Sequence, residues 1–368
     1  MLRFRSGYIA IFPNQNIFTS MEPGFQMLSL PATVGIFFAA AIAIALGGWR
    51  LSNLADRLAD RTGMGEAITG ALFLGAVTSQ PGIVTSVTAA WNGHAELAVS
   101  NAIGGIAVQT LFLAIADLLY QRANLEHAAA SLSNMMQGVL LVVLLSIPLI
   151  TAATPDFTLW AISPATPLMF GFYIYGMRII SGARSSPMWL PRLTAETRQD
   201  KPAVRAQQEN LQRLVLGIFI IAAIVGGSGW LVARTGMAIS EQTGLSESAV
   251  GAFLTAVVTS LPELVTTIAA VRQGAYTLAV GGIIGGNAFD TLFAAVADIA
   301  YRDGSIYHAV SNRQVFFITL TILMTAVLLL GMLRREKRGI ANIGFESFLI
   351  LVCYIAAAAY LLFSGNGA

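Results

Sequence analysis

The sequence predicts an all-α membrane protein built as ten transmembrane helices in two inverted five-helix repeats. Three observations predict it. The 368 residues are 56% hydrophobic and only 11% charged, apolar runs of spanning length recur along them, and the second half repeats the first. A soluble chain carries about 25% charged residues, and a helix crosses a bilayer with about 20 mostly apolar residues. The composition excludes an ordinary soluble enzyme and a disordered tail. A net charge of +2 is no basic footprint for nucleic acid.

The spanning runs fall at 30–50, 66–91, 95–120, 129–150, 157–180, 212–233, 247–271, 275–300, 311–333 and 341–363. Residues 1–29 precede them as an extension. It carries Arg3 and Arg5 but no clean apolar core with a small-residue cleavage site, so it does not read as a signal peptide. It is either an interfacial stretch or upstream of the true start at Met27. The single cysteine, Cys353, excludes a disulfide framework and a cysteine metal cage and reads as a small lipid- or helix-facing residue.

The organisation is a first repeat over 30–180, a linker over 181–211 and a second repeat over 212–368. Between Ser181 and Arg213 lie Arg184, Arg192, Arg198, Lys201 and Arg205. Cytoplasmic loops are rich in Lys and Arg, which puts this linker in the cytoplasm and the N-terminus outside. Arg50, Arg57 and Arg61, and the cluster Arg334, Arg335, Lys337 and Arg338, then share the cytoplasmic side. A plasma or bacterial inner membrane is the default location.

Laid over itself without a gap, the stretch from Gly70-Ala71 to Asp117 and Tyr120 matches that from Gly251-Ala252 to Asp298 and Tyr301, with nearly half the positions identical. Outside it, Gly48-Trp49 lies over Gly229-Trp230, Glu66 over Glu247, and His127 over His308. A repeat of five spans is odd, so equivalent helices cross the membrane in opposite directions. Secondary transporters are built this way, with the ion site at the midplane where discontinuous helices meet.

The second and seventh spans contain Pro81 and Pro262, each removing a helical hydrogen bond. Freed carbonyls inside lipid are tolerated only in protein or beside a wet cavity. Around these prolines lie Thr78-Ser79-Gln80-Pro81-Gly82 and Thr259-Ser260-Leu261-Pro262-Glu263. On a continuous helix, Thr259 and Ser260 share a face with Glu263. Hydroxyl, carbonyl and carboxylate oxygens are ligands for a hard cation such as calcium or sodium. The hydroxyls alone read more simply as back-bonded to their helix, but a carboxylate deep in a span is costly and functional by default.

The following span in each repeat is glycine-rich: Ser100-Asn101-Ala102-Ile103-Gly104-Gly105-Ile106-Ala107-Val108-Gln109, and Gly281-Gly282-Ile283-Ile284-Gly285-Gly286-Asn287-Ala288-Phe289-Asp290. Close helix packing explains most of the glycines. It does not explain Asn287 and Asp290, or Gln109 at the position equivalent to Asp290.

On these segments the sequence resembles the sodium/calcium exchangers of the calcium/cation antiporter superfamily, across essentially all its length. That family has ten helices in two inverted halves, each with a Gly-Thr-Ser-x-Pro-Glu and a Gly-Ser-Asn-x-x-Asn/Asp segment. The resemblance implies an antiporter rather than an enzyme, without a cofactor, exchanging calcium for sodium by alternating access. It implies that Glu263 and Asp290 bind the ion, with Thr259, Ser260, Asn287, Thr78, Ser79 and Gln109 adding oxygens. The sequence departs from the pattern: in the first repeat Gly82 replaces the glutamate, Gln109 takes an asparagine position and Ile106 stands where another asparagine is usual, and in both repeats the serine is glycine, at Gly105 and Gly286. Losing one of the two glutamates that jointly grip calcium removes a unit charge and up to two oxygens. Altered calcium binding is expected, and a monovalent cation/proton antiporter or a non-transporting membrane subunit are the rival readings.

Other ionisable residues carry quieter expectations. Asp117 and Asp298 are equivalent and lie near helix ends, suited either to capping or to the ion path. Glu66 and Glu247 read as caps of their own helices, and His94 and Glu96 as solvated connection residues. His127 and His308 fall on opposite membrane faces and cannot share a metal.

Overall fold

The computed structural model describes residues 28–62, 75–119, 124–192, 210–336 and 344–363. The extension before residue 28, Glu66 and most of the linker lie outside them. The elements are α1 (Leu30–Thr62), α2 (Gln80–Trp91), α3 (Ala95–Leu119), α4 (Leu125–Ala129), α5 (Leu132–Ala152), α6 (Ala165–Ser185), α7 (Leu211–Thr243), α8 (Glu247–Ala249), α9 (Ala256–Thr259), α10 (Leu261–Gln273), α11 (Tyr276–Ala300), α12 (Asn312–Arg334) and α13 (Phe345–Phe363). Residues 75–78 form a helical turn before α2, and a π-turn over Val250–Thr255 joins α8 to α9. Among the described residues no strand forms beyond an isolated bridge, Leu159–Ile162.

Six described helices are long and apolar enough to cross a membrane, and the bent pair Glu247–Thr259 with Leu261–Arg272 makes a seventh. Residues 75–91, α6 and α13 complete the ten. Three boundaries differ from the sequence reading. α1 and α7 are each 33 residues long, because their helical pattern runs on past the apolar stretch into amphipathic turns. α6 begins at Ala165 rather than near 157: Pro164 is its N-cap, and the residues before it fold into the bridge. α5 contains a further proline, Pro148, without breaking.

The two halves run in opposite directions through the membrane. An added Cβ at Gly47 would meet Val225, and one at Gly217 would meet Leu54, so α1 and α7 pack antiparallel. Leu51, Leu58 and Ile218 close a small core between them. Outward, Phe38, Ile42 and Leu46 on α1 and Leu216, Ile220 and Ile224 on α7 are exposed, forming apolar stripes that face lipid. α3 and α11 instead sit at the centre, buried on nearly every side.

The pseudo-twofold is visible in contacts as well as in sequence. Gly48 lies against the ring of Pro262, and Gly229 against the backbone of Pro81. Each long helix thus presses a glycine onto the helix break of the other repeat. Asp117 accepts from the Leu125 amide at 2.6 Å and Asp298 from the Ile306 amide at 2.9 Å. Each also reaches another connection: Asp117 binds the Gly344 amide at 2.9 Å, and Asp298 binds the Ser163 amide at 2.8 Å and the Thr166 hydroxyl at 2.6 Å.

Of the two roles open to them, Asp117 and Asp298 therefore hold loops. Asp298→Ala strands two buried backbone amides, of Ser163 and Ile306, at about 1–3 kcal/mol each, while the Thr166 hydroxyl keeps Tyr307 at 3.2 Å. The variant's melting temperature in detergent should fall clearly, with the cation dependence of surviving molecules unchanged.

His94, Glu96 and Glu247 correct the sequence reading. Glu247 does not cap its own helix; Ser246 does, accepting from the Ala249 amide. Glu247 instead receives His94 Nδ1 at 2.6 Å and the Leu97 amide at 3.4 Å, so it caps α3 across the repeat boundary. Glu96, already inside α3, accepts from Ser248 Oγ at 2.9 Å. Their half-burial between two helix starts replaces the solvated connection.

The bond to Glu247 holds His94 above the ordinary imidazole range, with burial and Arg234 opposing and Glu241 assisting. A raised folded value means that this stabilisation is complete below about pH 6.5 and fades as pH rises through the folded value. The melting-temperature gap between the parent protein and His94→Gln should accordingly be widest at mildly acidic pH and narrow as pH rises.

Candidate functional site

Two broken helices and two unbroken ones supply the site. In the second repeat α9 ends at Thr259, Ser260 leaves helical geometry, and α10 restarts at Leu261. The two halves of this span bend by 47°. Pro262 has no N–H for the Val258 carbonyl, which enforces the break. In the first repeat a single turn residue, Ser79, still in the right-handed helical region, separates residues 75–78 from α2, where Pro81 stands. The carbonyl end of α9, carrying partial negative charge, points into the gap.

Glu263 lies in the first turn of α10. It is 6% exposed, and Asp290, mid-way along α11, is 1% exposed. Ser79 Oγ donates to Glu263 Oε1 at 3.4 Å and is a hydrogen-bond neighbour of Asp290 as well. Thr78 also neighbours Glu263. Gln109 Nε2 donates to Asp290 Oδ2 at 2.6 Å and to Ser260 Oγ at 3.3 Å. Asn287 Nδ2 donates to Thr110 Oγ1 at 3.0 Å.

Gln109 and Asp290, equivalent positions of the two repeats, thus meet at the centre. Thr78, Ser79, Ser260, Glu263, Gln109 and Asp290 form one linked cluster, with Asn287 one helical turn from Asp290. Thr259 turns away. Because the helix breaks at Ser260, the continuous face expected for Thr259, Ser260 and Glu263 does not exist. The Thr259 hydroxyl points to Asn101 Oδ1 at 3.4 Å and the Ala256 carbonyl at 3.3 Å.

Four oxygens in this region are buried without a hydrogen-bond partner among the described residues: Glu263 Oε2, Asp290 Oδ1, Gln109 Oε1 and Asn287 Oδ1. Stranding a buried acceptor costs about 1–3 kcal/mol, and stranding a carboxylate oxygen costs more. Neither carboxylate has a Lys, Arg or His partner among the described residues. Two carboxylates and two amide carbonyls, all hard oxygen donors, match what calcium or sodium binds.

Asn101 is a site residue that the sequence reading quoted without singling out. Its amide donates to Ser86 Oγ at 2.9 Å and the Gly82 carbonyl at 3.2 Å, and its Oδ1 accepts from Thr255 at 2.8 Å. It ties α2 to the broken span of the other repeat. A lone amide in mid-span was the available signal.

The glycines that replace family residues behave differently from one another. A Cβ at Gly105 would lie 3.5 Å from Ser260 Oγ, and one at Gly286 would lie 3.7 Å from Gln109 Oε1, ordinary contacts that leave room beside the cluster. At Gly82 there is no such room. An added Cβ would fall 2.6 Å from Phe293 Cε2.

Comparison with known proteins fits this geometry. Residues 32–179 and 213–363 match the model of the family described as sodium/calcium exchanger protein. A putative antiporter, CaxA of Alkalimonas amylolytica, is 28% identical over 313 residues, covering 84% of this chain and 92% of that protein. Among solved structures, the sodium-calcium exchanger NCX_Mj superposes with a TM-score of 0.57 at 19% identity, covering 90% of this chain and 99% of the other. The H+/Ca2+ exchanger CAX superposes with a TM-score of 0.62 at 11% identity, covering 95% and 92%. With both repeats matched and the broken helices in place, the chain belongs to the sodium/calcium exchanger protein family of antiporters.

Proposed function

We propose that this protein is a secondary-active cation antiporter that moves calcium, or a closely related divalent cation, against sodium or protons by alternating access. The four unpartnered oxygens between the repeats support this reading most directly. Two buried carboxylates with no basic partner among the described residues make an electrostatic vacancy that one divalent or two monovalent cations neutralise. Competition for the same oxygens produces exchange rather than leak. Glu263 and Asp290 supply the charge, Gln109 and Asn287 carbonyl oxygens, and Ser79, Ser260 and Thr78 hydroxyls. Thr259 acts through Asn101 by holding the break in shape.

The long helices α1 and α7 are the elements that slide, since only a glycine separates each from the opposing proline. The N-terminus lies outside and the linker in the cytoplasm, in a plasma or bacterial inner membrane. The phenyl ring over Gly82 favours a second reading, proton or sodium exchange without calcium, because it denies the site a third carboxylate. Purified protein in liposomes separates the two: radiolabelled calcium uptake driven by a sodium or proton gradient supports the first. Sodium–proton exchange with no calcium movement supports the second.

A further inference from the structure

The two halves of the site are equivalent by sequence and unequal in structure. Glu263 extends from the start of α10 into the cluster, and its equivalent in the first repeat is Gly82. Where a side chain at 82 would leave the helix, the ring of Phe293 stands instead, with Cε2 at 2.6 Å, Cδ2 at 3.3 Å and Cζ at 3.4 Å from the Cβ position. Phe293 is 5% exposed and is held edge-on by Phe289, whose ring centroid is 6.2 Å away. Phe289 in turn meets Tyr173 edge-on at 6.0 Å. On α11 Phe293 lies one turn beyond Asp290 and Phe289 directly before it, and Tyr173 joins the row from α6. The Phe293 ring thus sets carbon, rather than an oxygen ligand, against the first-repeat position equivalent to Glu263.

We propose that Phe293 is a specificity-determining residue: by sealing the first-repeat side it limits the site to two carboxylates, so that one divalent cation exchanges for two monovalent cations with no net charge moved. The inference rests on the antiporter reading above. Its charge balance is direct. Glu263 and Asp290, ionised, carry two negative charges, which one divalent cation or two sodium ions or protons neutralise. The loaded site crosses the membrane neutral in both directions. A third monovalent cation has no anionic partner and faces a phenyl ring, and placing an unpaired charge in such surroundings is strongly unfavourable.

The decisive measurement uses the parent protein in liposomes, with membrane potential clamped by valinomycin and potassium while sodium- and proton-driven calcium uptake is recorded. The expected result is uptake that differs by less than about 1.5-fold between zero and 100 mV. One net charge moved would be worth about 2.3 kcal/mol at 100 mV, up to roughly 50-fold at equilibrium. Uptake or its equilibrium level that follows the clamped potential would overturn the proposal while leaving the antiporter reading intact. Absence of calcium movement under any gradient would overturn both.

The double variant Gly82→Glu with Phe293→Ala reopens the space and adds a charge, and its calcium uptake should become potential-dependent. Phe293→Leu, which keeps an apolar plug, should stay insensitive and serves as the folded control. If Phe293→Leu and the double variant behave alike, Phe293 does not set the charge count.

Discussion

Glu263→Gln should abolish exchange and at the same time make the empty protein more stable. The substitution keeps the shape of the side chain and removes one charge. In the empty site Glu263 Oε2 and Asp290 Oδ1 are buried and unpartnered, and two adjacent carboxyl groups out of water ionise only at a cost, so replacing one by an amide relieves a cost already present. In the loaded site the same change removes one partner of a buried ionic interaction, which costs about 3–5 kcal/mol and more than about a hundredfold in affinity.

Two measurements check this together. Liposome flux should fall to background, and the thermal shift that the proposed function predicts for calcium with the parent protein should be absent, while the melting temperature without cation should rise. A glutamate with a purely structural role would give the reverse pattern, with lower stability and residual flux. The same pair of measurements on Asp290→Asn should agree in direction, with a smaller gain in stability because Gln109 already donates to that carboxylate at 2.6 Å.

Gly229→Ala should slow transport at least tenfold and destabilise the protein by about 1–3 kcal/mol, the usual cost of overpacking. The new methyl would lie 2.7 Å from the Pro81 carbonyl oxygen and 2.9 Å from Pro81 Cα. Those are backbone atoms, which cannot swing aside. Gly48→Ala meets the Pro262 ring in the equivalent place and should act in the same direction.

Gly227→Ala provides the control. Nothing lies within 4 Å of its Cβ position, and alanine is the better helix former by about 1 kcal/mol, so stability should hold or rise and flux should persist. If Gly229→Ala transports at the parent rate, the two long helices do not need close approach to the opposing prolines.

Much of this architecture was legible in the residues themselves. The repeat stood out because glycines, prolines and buried polar groups recur at fixed spacing, and each has a backbone or charge reason to stay. Pro81 and Pro262 located the breaks because a missing N–H acts locally. Glu263, Asp290 and Gln109 stood out because ionisable or amide groups in an apolar span have few bland explanations.

What was not legible depended on partners distant in the chain. Glu247 caps α3 rather than its own helix because the ends of α2 and α7 bring the two helix starts together, and no local pattern encodes that meeting. Thr259 turned from Glu263 to Asn101 once the helix broke at Ser260, a rotation that helical spacing does not anticipate. Gly82 announced a missing carboxylate, but only the folded chain shows that a ring from the other repeat took its place.

The 33-residue helices α1 and α7 have one more consequence. At 1.5 Å per residue each measures about 50 Å, against a hydrocarbon layer of about 30 Å. The excess is met by inclination and by amphipathic ends standing in the headgroup zone, while the central α3 and α11, at 25 residues, fit with little adjustment. A thinner or thicker lipid environment therefore changes the lean of the outer pair relative to the core they straddle. Lipid acyl-chain length becomes a mechanical input to this protein, acting first on the two elements that carry glycines against the opposing breaks.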